Sequence, residues 1–173
     1  MSESILVGYA TRYGSTQEVA EAIAAVLRES GLEVDLQPLR KVRDVIGYRA
    51  VVMGAPLYIG SLLKDAQRFL AQHREALAGR PVAVFALGPT RAEEGLEGAR
   101  EQLDKELAKA PWLAPAAIGF FGGKYDPASL RFPDNLIAAL PASPLHGLPA
   151  SDARDWTAIR AWASDLAAKL QSA

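Results

Sequence analysis

Cysteine is absent from the 173-residue chain, and its absence excludes several kinds of chemistry at once. A chain without cysteine forms no disulfides and offers no thiolate metal ligands, iron–sulfur ligands or thiol nucleophiles. Histidine is nearly absent too, with His73 and His146 far apart in the sequence. Because no acid–base pair, triad or ligand cluster accompanies them, we predict no metal site and no catalytic side chain. We interpret both histidines as structural or solvated.

A large excess of either charge is also missing. Lysine and arginine number 19 against 20 aspartates and glutamates, which gives a net charge of -1 and a pI of about 6.1. This balance argues against nucleic-acid binding, which favours a basic surface. No apolar run approaches the roughly 20 residues that span a bilayer. The first strand pattern begins too early to leave room for a signal peptide, so we expect a cytoplasmic protein.

What is present is hydrophobic patterning typical of a single α/β domain over residues 1–173. Hydrophobic residues make up 50% of the chain, enough for a sizeable core. Mostly continuous apolar runs alternate with helical stripes, which favours a doubly wound parallel sheet covered on both faces. The predicted strands span residues 5–9, 34–36, 50–54, 82–87 and 116–121. We also expect a short helix near residues 42–46 and a last helix capped by Asp152 or Asp155.

The most informative segment joins the first predicted strand to the first predicted helix and reads Thr11-Arg12-Tyr13-Gly14-Ser15-Thr16. Its hydroxyls, its glycine and the free N–H groups and positive dipole of a helix start suit a phosphate group. It lacks the lysine of a Walker loop and the glycine spacing of a dinucleotide-binding loop. The alternative is an ordinary helix start capped by Ser15 or Thr16. The Ser/Thr-x-x-Gly-x-Thr pattern resembles the FMN phosphate loop of flavodoxins.

Two further loops follow the third and fourth predicted strands, where ligands of open parallel sheets bind. They read Pro56-Leu57-Tyr58-Ile59-Gly60-Ser61 and Gly88-Pro89-Thr90-Arg91. An aromatic and an aliphatic side chain in the first loop suit a flat isoalloxazine ring, and Gly60 lets the backbone approach that ring. Alternatively, Tyr58 covers the edge of the core and Gly88-Pro89 forms a plain turn.

From its first strand to its last helix, the chain resembles the flavodoxin superfamily. The resemblance implies a three-layer sandwich with a five-stranded parallel sheet of order 2-1-3-4-5 and a non-covalently bound FMN. The phosphate contacts it implies come from Thr11, Gly14, Ser15 and Thr16, and from the backbone amides of Arg12 and Tyr13, whose side chains depart from the hydroxyl-rich family pattern. The implied contacts to the ring come from Pro56, Leu57, Tyr58, Ile59, Gly60, Gly88, Pro89 and Thr90.

A long insertion, residues 122–151, precedes the last helix. The stretches 120–126 and 152–156 look like segments of single-domain flavodoxin-like proteins that include menaquinone-dependent protoporphyrinogen oxidase, which also has such an insertion. The insertion is rich in proline and its only cations are Lys124 and Arg131, whereas stable membrane attachment usually needs more charge. We expect it to fold over the flavin side or to build a homodimer. Its apolar side comprises Leu130, Phe132, Leu136, Ile137 and Leu140.

Three functions remain open at this point. The first is an FMN-binding redox protein, an electron carrier or an oxidoreductase, that works with a redox partner, a quinone or another small molecule. The second is menaquinone-dependent protoporphyrinogen oxidation in haem biosynthesis. The third is a flavodoxin-fold interaction domain with little or no flavin.

Overall fold

A parallel sheet forms the middle layer of the protein, whose computed structural model describes residues 4–58, 61–90, 97–143 and 146–172. Its strand order is β2-β1-β3-β5-β6, which confirms the predicted order of the five main strands. A sixth, short strand, β4, runs antiparallel to the end of β3 and adds one to the predicted count. The strands span Ile5–Tyr9 (β1), Val34–Pro38 (β2), Ala50–Tyr58 (β3), Ser61–Leu62 (β4), Val82–Leu87 (β5) and Ala117–Phe121 (β6).

Helices cover both faces of the sheet and enclose two separate cores. One core lies under α1 and α6, and the other lies under α2, α3 and α4. The continuous apolar runs of β1 and β5 are buried along their whole length, as expected for strands covered on both faces. The helices span Ser15–Glu29 (α1), Lys64–Gln72 (α2), Arg74–Ala78 (α3), Glu97–Leu107 (α4), Asp134–Ala139 (α5) and Trp156–Gln171 (α6).

Strand β3 projects beyond β1 at the edge where the candidate loops lie, and stays paired with β5 as far as Pro56. Tyr9, the last residue of β1, pairs with Gly54, and β3 continues to Tyr58. At about 3.3 Å per residue this extension carries the chain about 13 Å further. The expectation that Pro56, Leu57 and Tyr58 form a loop is therefore wrong, because all three lie in β3. Proline is tolerated there because β1 has already ended, so no partner on that side needs its missing N–H.

Two local expectations about helices had different outcomes. The predicted helix near residues 42–46 is wrong, since a single 3₁₀ turn forms earlier, at Leu39–Lys41. Val42 and Val45 are buried although neither is helical, so the apolar spacing there reflects core packing. The N-cap of α6 is Asp155, whose carboxylate accepts a hydrogen bond of 3.0 Å from the Ala158 N–H.

The insertion is closed at its base by a two-stranded antiparallel ribbon of β7 (Lys124–Tyr125) and β8 (Ser151–Asp152). Between these strands lie a 3₁₀ turn at Pro127–Ser129 and the helix α5. Asp134, the first residue of α5, is only 7% exposed and is buried together with Ala138, whereas four large apolar residues of the segment are exposed. The exposed apolar residues are Phe132, Leu136, Ile137 and Leu140. In the part of the chain that the structure describes, no helix is long and apolar enough to cross a membrane.

Candidate functional site

The start of α1 is built on a left-handed glycine. Gly14 is the N-cap residue and has a φ of 89°. A Cβ at this position would meet no atom within 4 Å, so glycine is needed for its dihedral angle and not for space. None of the described side chains caps this helix end, so the alternative in which Ser15 or Thr16 acts as N-cap is wrong. The first backbone hydrogen bond of the helix runs from the Glu18 N–H to the Gly14 carbonyl at 3.1 Å, which leaves the N–H groups of Ser15, Thr16 and Gln17 without a helical partner.

Two threonine hydroxyls belong to this turn, and they differ in their partners. Thr11 Oγ1 accepts a hydrogen bond of 2.9 Å from the Gly14 N–H, and its own proton remains able to donate. Thr16 is completely buried, yet its Oγ1 has no hydrogen-bond partner among the described residues. A buried polar atom without a partner is costly, so such an atom indicates a bound group that supplies the bond. The turn therefore has the donors and the local shape of a phosphate site.

The side chains of Arg12 and Tyr13 turn toward the insertion. Arg12 Nη2 lies 2.6 Å from Asp134 Oδ2, and the Tyr13 hydroxyl donates a hydrogen bond to the same oxygen. These two residues depart from the hydroxyl-rich family pattern, and the structure gives their side chains a different task, which is to hold the insertion against the loop.

Arg154, which follows the insertion in the sequence, contacts the same turn. Its side chain is 4% exposed and binds both carboxylate oxygens of Asp152, at 2.9 and 2.8 Å. Its Nη1 also donates to the Ser15 carbonyl at 3.3 Å. The hydrogen bond between them lowers the pKa of Asp152 and raises the pKa of Arg154. Sequence analysis assigned no role to Arg154, although it lies in the stretch 152–156 that carries part of the family resemblance.

We call residues 11–16 the phosphate turn. A cavity of about 580 Å³ connects this turn with the start of α2. Its volume is in the range of small-molecule sites. Ser61 is the described part of the predicted middle loop that lines it, and Tyr58 lies at the end of β3. Ile59 and Gly60 lie outside the described residues, so their predicted contact with a ring stays a prediction. The cavity is lined by Thr11, Arg12, Ser61, Leu62, Leu63, Lys64, Asp65 and Gln67.

The loop after β5 continues the backbone pairing of the sheet. The Gly88 N–H donates to the Phe121 carbonyl at 2.9 Å, and the Gly123 N–H donates to the Pro89 carbonyl at 2.7 Å. A Cβ at Gly88 would lie 2.3 Å from the ring of Phe120, so any other residue here would displace that ring. These bonds contradict the alternative in which Gly88-Pro89 forms a plain turn. Thr90 is half-buried at the same edge, and Arg91 lies outside the described residues.

Comparison with known proteins shows which family the chain belongs to. A family model described as a flavodoxin domain matches residues 6–146. The chain belongs to the flavodoxin family. Oxidised flavodoxin 2 from Bacillus cereus superimposes with a TM-score of 0.57 at 20% identity, over 98% of both chains.

Two relatives of this flavodoxin-family protein are quinone-linked dehydrogenases by name. Protoporphyrinogen IX dehydrogenase [quinone] of Escherichia coli K12 is 29% identical over 84 residues, which are 47% of this chain and 46% of that protein. The Leishmania major protein of the same name is 24% identical over 176 residues, covering 96% of this chain and 76% of that protein. The chain thus spans about half the length of its Escherichia coli relative.

Membership of the flavodoxin family implies a flavin cofactor. The residues at the sheet edge fit such a group. The buried Thr16 hydroxyl lacks a partner among the residues described, the N–H groups of the first turn of α1 are uncapped, and a cavity is lined by Thr11 and Arg12 of the preceding turn. In the described ranges, no three His, Cys, Asp or Glu side chains are grouped to hold a metal ion.

Proposed function

We propose that this flavodoxin-family protein binds FMN non-covalently and uses it for electron transfer or oxidoreduction. The observation that carries the proposal is the buried hydroxyl of Thr16, which has no partner among the described residues and lies beside the uncapped start of α1. A phosphate monoester would supply that hydroxyl with an acceptor and the helix N-terminus with an anion. Riboflavin lacks this phosphate, so comparing the two ligands tests the assignment directly.

The phosphate would be held by the hydroxyls of Thr11, Ser15 and Thr16 and by the N–H groups of the turn. The ring would lie along the projecting end of β3, against Tyr58 or Ile59, with Gly60 beneath it. Gly88, Pro89 and Thr90 would border its other side. When bound, the flavin supplies the electron chemistry, while these residues orient it and limit its contact with water.

The test starts from the absorbance of the purified protein, which shows a flavin if one is bound. Apoprotein is then titrated with FMN and with riboflavin, for the wild type and for the Ser15→Ala/Thr16→Ala variant. Each hydrogen bond to a charged acceptor contributes about 1.5–3 kcal/mol, so the double substitution should weaken FMN binding on the order of a hundredfold or more. Riboflavin binding should be almost unaffected. An equal loss for both ligands would place the phosphate elsewhere, and absence of flavin binding would favour an interaction domain.

We further propose a quinone as the electron acceptor, since the curated relatives named above are quinone-linked. The specific alternative is menaquinone-dependent protoporphyrinogen oxidation, in which hydrogen removed from the porphyrinogen is delivered to the quinone. Reduction of a menaquinone analogue that requires protoporphyrinogen would support this alternative. Reduction of the quinone with other donors alone would support the more general redox role. A cytoplasmic location belongs to the same proposal and can be checked by cell fractionation.

A further inference from the structure

The insertion contacts the phosphate turn through a set of polar residues, which we call the latch. On the insertion it comprises Arg131 and Asp134, and on the turn it comprises Arg12 and Tyr13. Asp134 accepts from the Tyr13 hydroxyl and lies 2.6 Å from Arg12 Nη2. The Arg131 guanidinium lies 5.3 Å from the centre of the Tyr13 ring. A carboxylate as buried as Asp134 would be costly without such partners, so these contacts are what place α5 on the turn.

One latch contact fixes a peptide plane of the phosphate turn. Arg131 Nη2 donates to the backbone carbonyl of Arg12 at 2.6 Å. In a trans peptide the carbonyl of one residue and the N–H of the next point in opposite directions. Holding the Arg12 carbonyl toward the insertion therefore directs the Tyr13 N–H to the other side of the turn. Arg154 holds the Ser15 carbonyl at 3.3 Å, which directs the Thr16 N–H in the same manner.

We propose that Asp134 and Arg131 are positioning residues for the phosphate turn. Both residues hold the side of the turn that faces the insertion, and its N–H groups are thereby directed toward the side where the phosphate binds. The docked insertion and the FMN phosphate therefore stabilise each other. This inference rests on the proposed function, in which the turn holds that phosphate. It also explains why Arg12 and Tyr13 replace the hydroxyl residues of the family pattern, since arginine and tyrosine are what Asp134 binds.

For one substitution, electrostatic attraction and a positioning role predict opposite changes in FMN affinity, and this difference makes the proposal testable. Asp134→Asn removes a negative charge close to a dianionic ligand, which by attraction alone would tighten FMN binding. If Asp134 acts by positioning, the same substitution weakens FMN binding. Tyr13→Phe removes the hydroxyl that Asp134 binds without any change of charge, so it should act in the same direction.

The experiment measures FMN and riboflavin dissociation constants for the wild type, Asp134→Asn, Tyr13→Phe and a matched control, Asp126→Asn. Asp126 also lies in the insertion but accepts only local bonds among those resolved, from the Ala128 N–H and the Ser129 hydroxyl. We expect Asp134→Asn to weaken FMN about tenfold and to change riboflavin less than about twofold. The control should keep wild-type values for both. Retained riboflavin binding shows that each variant is folded.

Hydrogen exchange supplies a second readout of the same coupling. Because linkage is reciprocal, FMN should slow amide exchange in residues 127–139 of the wild type and should lose that effect in Asp134→Asn. Asp134→Asn that binds FMN as tightly as the wild type, or more tightly, would overturn the inference while leaving FMN binding itself intact. A wild type that binds no FMN would instead contradict the proposed function and, with it, this inference.

Discussion

The sheet and the insertion differ in the residues that they bury. In β1 and β5 every residue is buried, and nearly all of them are apolar. In the insertion the helix α5 buries Asp134, at 7% exposure, and the small Ala138, whereas the large apolar side chain of Phe132 is 77% exposed. Hydrophobic burial therefore places the sheet and its helices, and specific polar contacts with the phosphate turn place the insertion. The contrast shows that one chain uses two physical principles, one for its framework and one for the insertion that contacts Arg12 and Tyr13.

The first way to test this comparison is to shorten one leucine in each region. Leu166→Ala removes a side chain that is 1% exposed in the core under α1 and α6, and should cost about 2–5 kcal/mol of unfolding free energy. Leu136→Ala changes a side chain that is 57% exposed, and should cost less than about 0.5 kcal/mol. Urea denaturation of both variants measures the difference.

Equal costs for the two leucines would break the comparison, because they would mean that the apolar side of the insertion is covered in solution. The predicted homodimer would produce this result. Stability that rises with protein concentration in the wild type, but not in Leu136→Ala, would identify such a dimer.

A second test concerns the backbone of the phosphate turn. Gly14→Val places a β-branched residue at a φ of 89°, which costs about 1–3 kcal/mol and displaces the turn. We expect a folded protein whose FMN affinity falls at least about a hundredfold. Gly31→Val is the matched control, since Gly31 has a φ of 87° and equally open surroundings at the other end of α1. It should lose similar stability and keep FMN. Recovery of fully loaded Gly14→Val would remove Gly14 from the site.

Much of the framework could be predicted because it follows local patterns. Mostly continuous apolar runs indicated the five parallel strands, and Asp155 was one of two N-caps that the spacing allowed. The turn at residues 11–16 was identified from its residue types and its place between strand and helix. The end of β3 was missed because Pro56 interrupts a strand unless the neighbouring strand has already ended, and that depends on the pairing of Tyr9 with Gly54.

The latch could not be predicted from the sequence. Its partners Tyr13 and Asp134 are 121 positions apart, and no local period encodes such a pair. An aspartate before an apolar run usually indicates an exposed helix start, so Asp134 gave no sign of being buried. Arg154 was hidden for the same reason, since its contact with Ser15 joins segments that are 139 positions apart.

The third prediction compares buried polar groups in the two regions. Asp134 has its partners in the protein, whereas the Thr16 hydroxyl has none among the described residues. Thr16→Val keeps the shape and removes the hydroxyl, so the apoprotein should be as stable as the wild type or more stable. FMN binding should nevertheless weaken about tenfold or more, from the loss of one hydrogen bond to a charged acceptor. Thermal unfolding of the apoprotein and FMN titration measure the two effects. A destabilised apoprotein would show that the hydroxyl already has a protein partner.

The smallest predicted effect concerns acid and the base of the insertion. The Arg154 hydrogen bond lowers the pKa of Asp152 below its usual value of 3.8, so folding favours the ionised carboxylate. The stability that this pair contributes is therefore fully present above that value and is lost as the pH falls through the lowered pKa.

Asp152 is 40% exposed, so solvent and salt screen the pair and the effect is small. We expect Asp152→Asn to be less stable than the wild type at about pH 6, and the gap to narrow as the pH falls below 3.8. Urea midpoints of both proteins across this range measure the gap. A gap that stays constant with pH would mean that Asp152 acts through its shape and not through its charge.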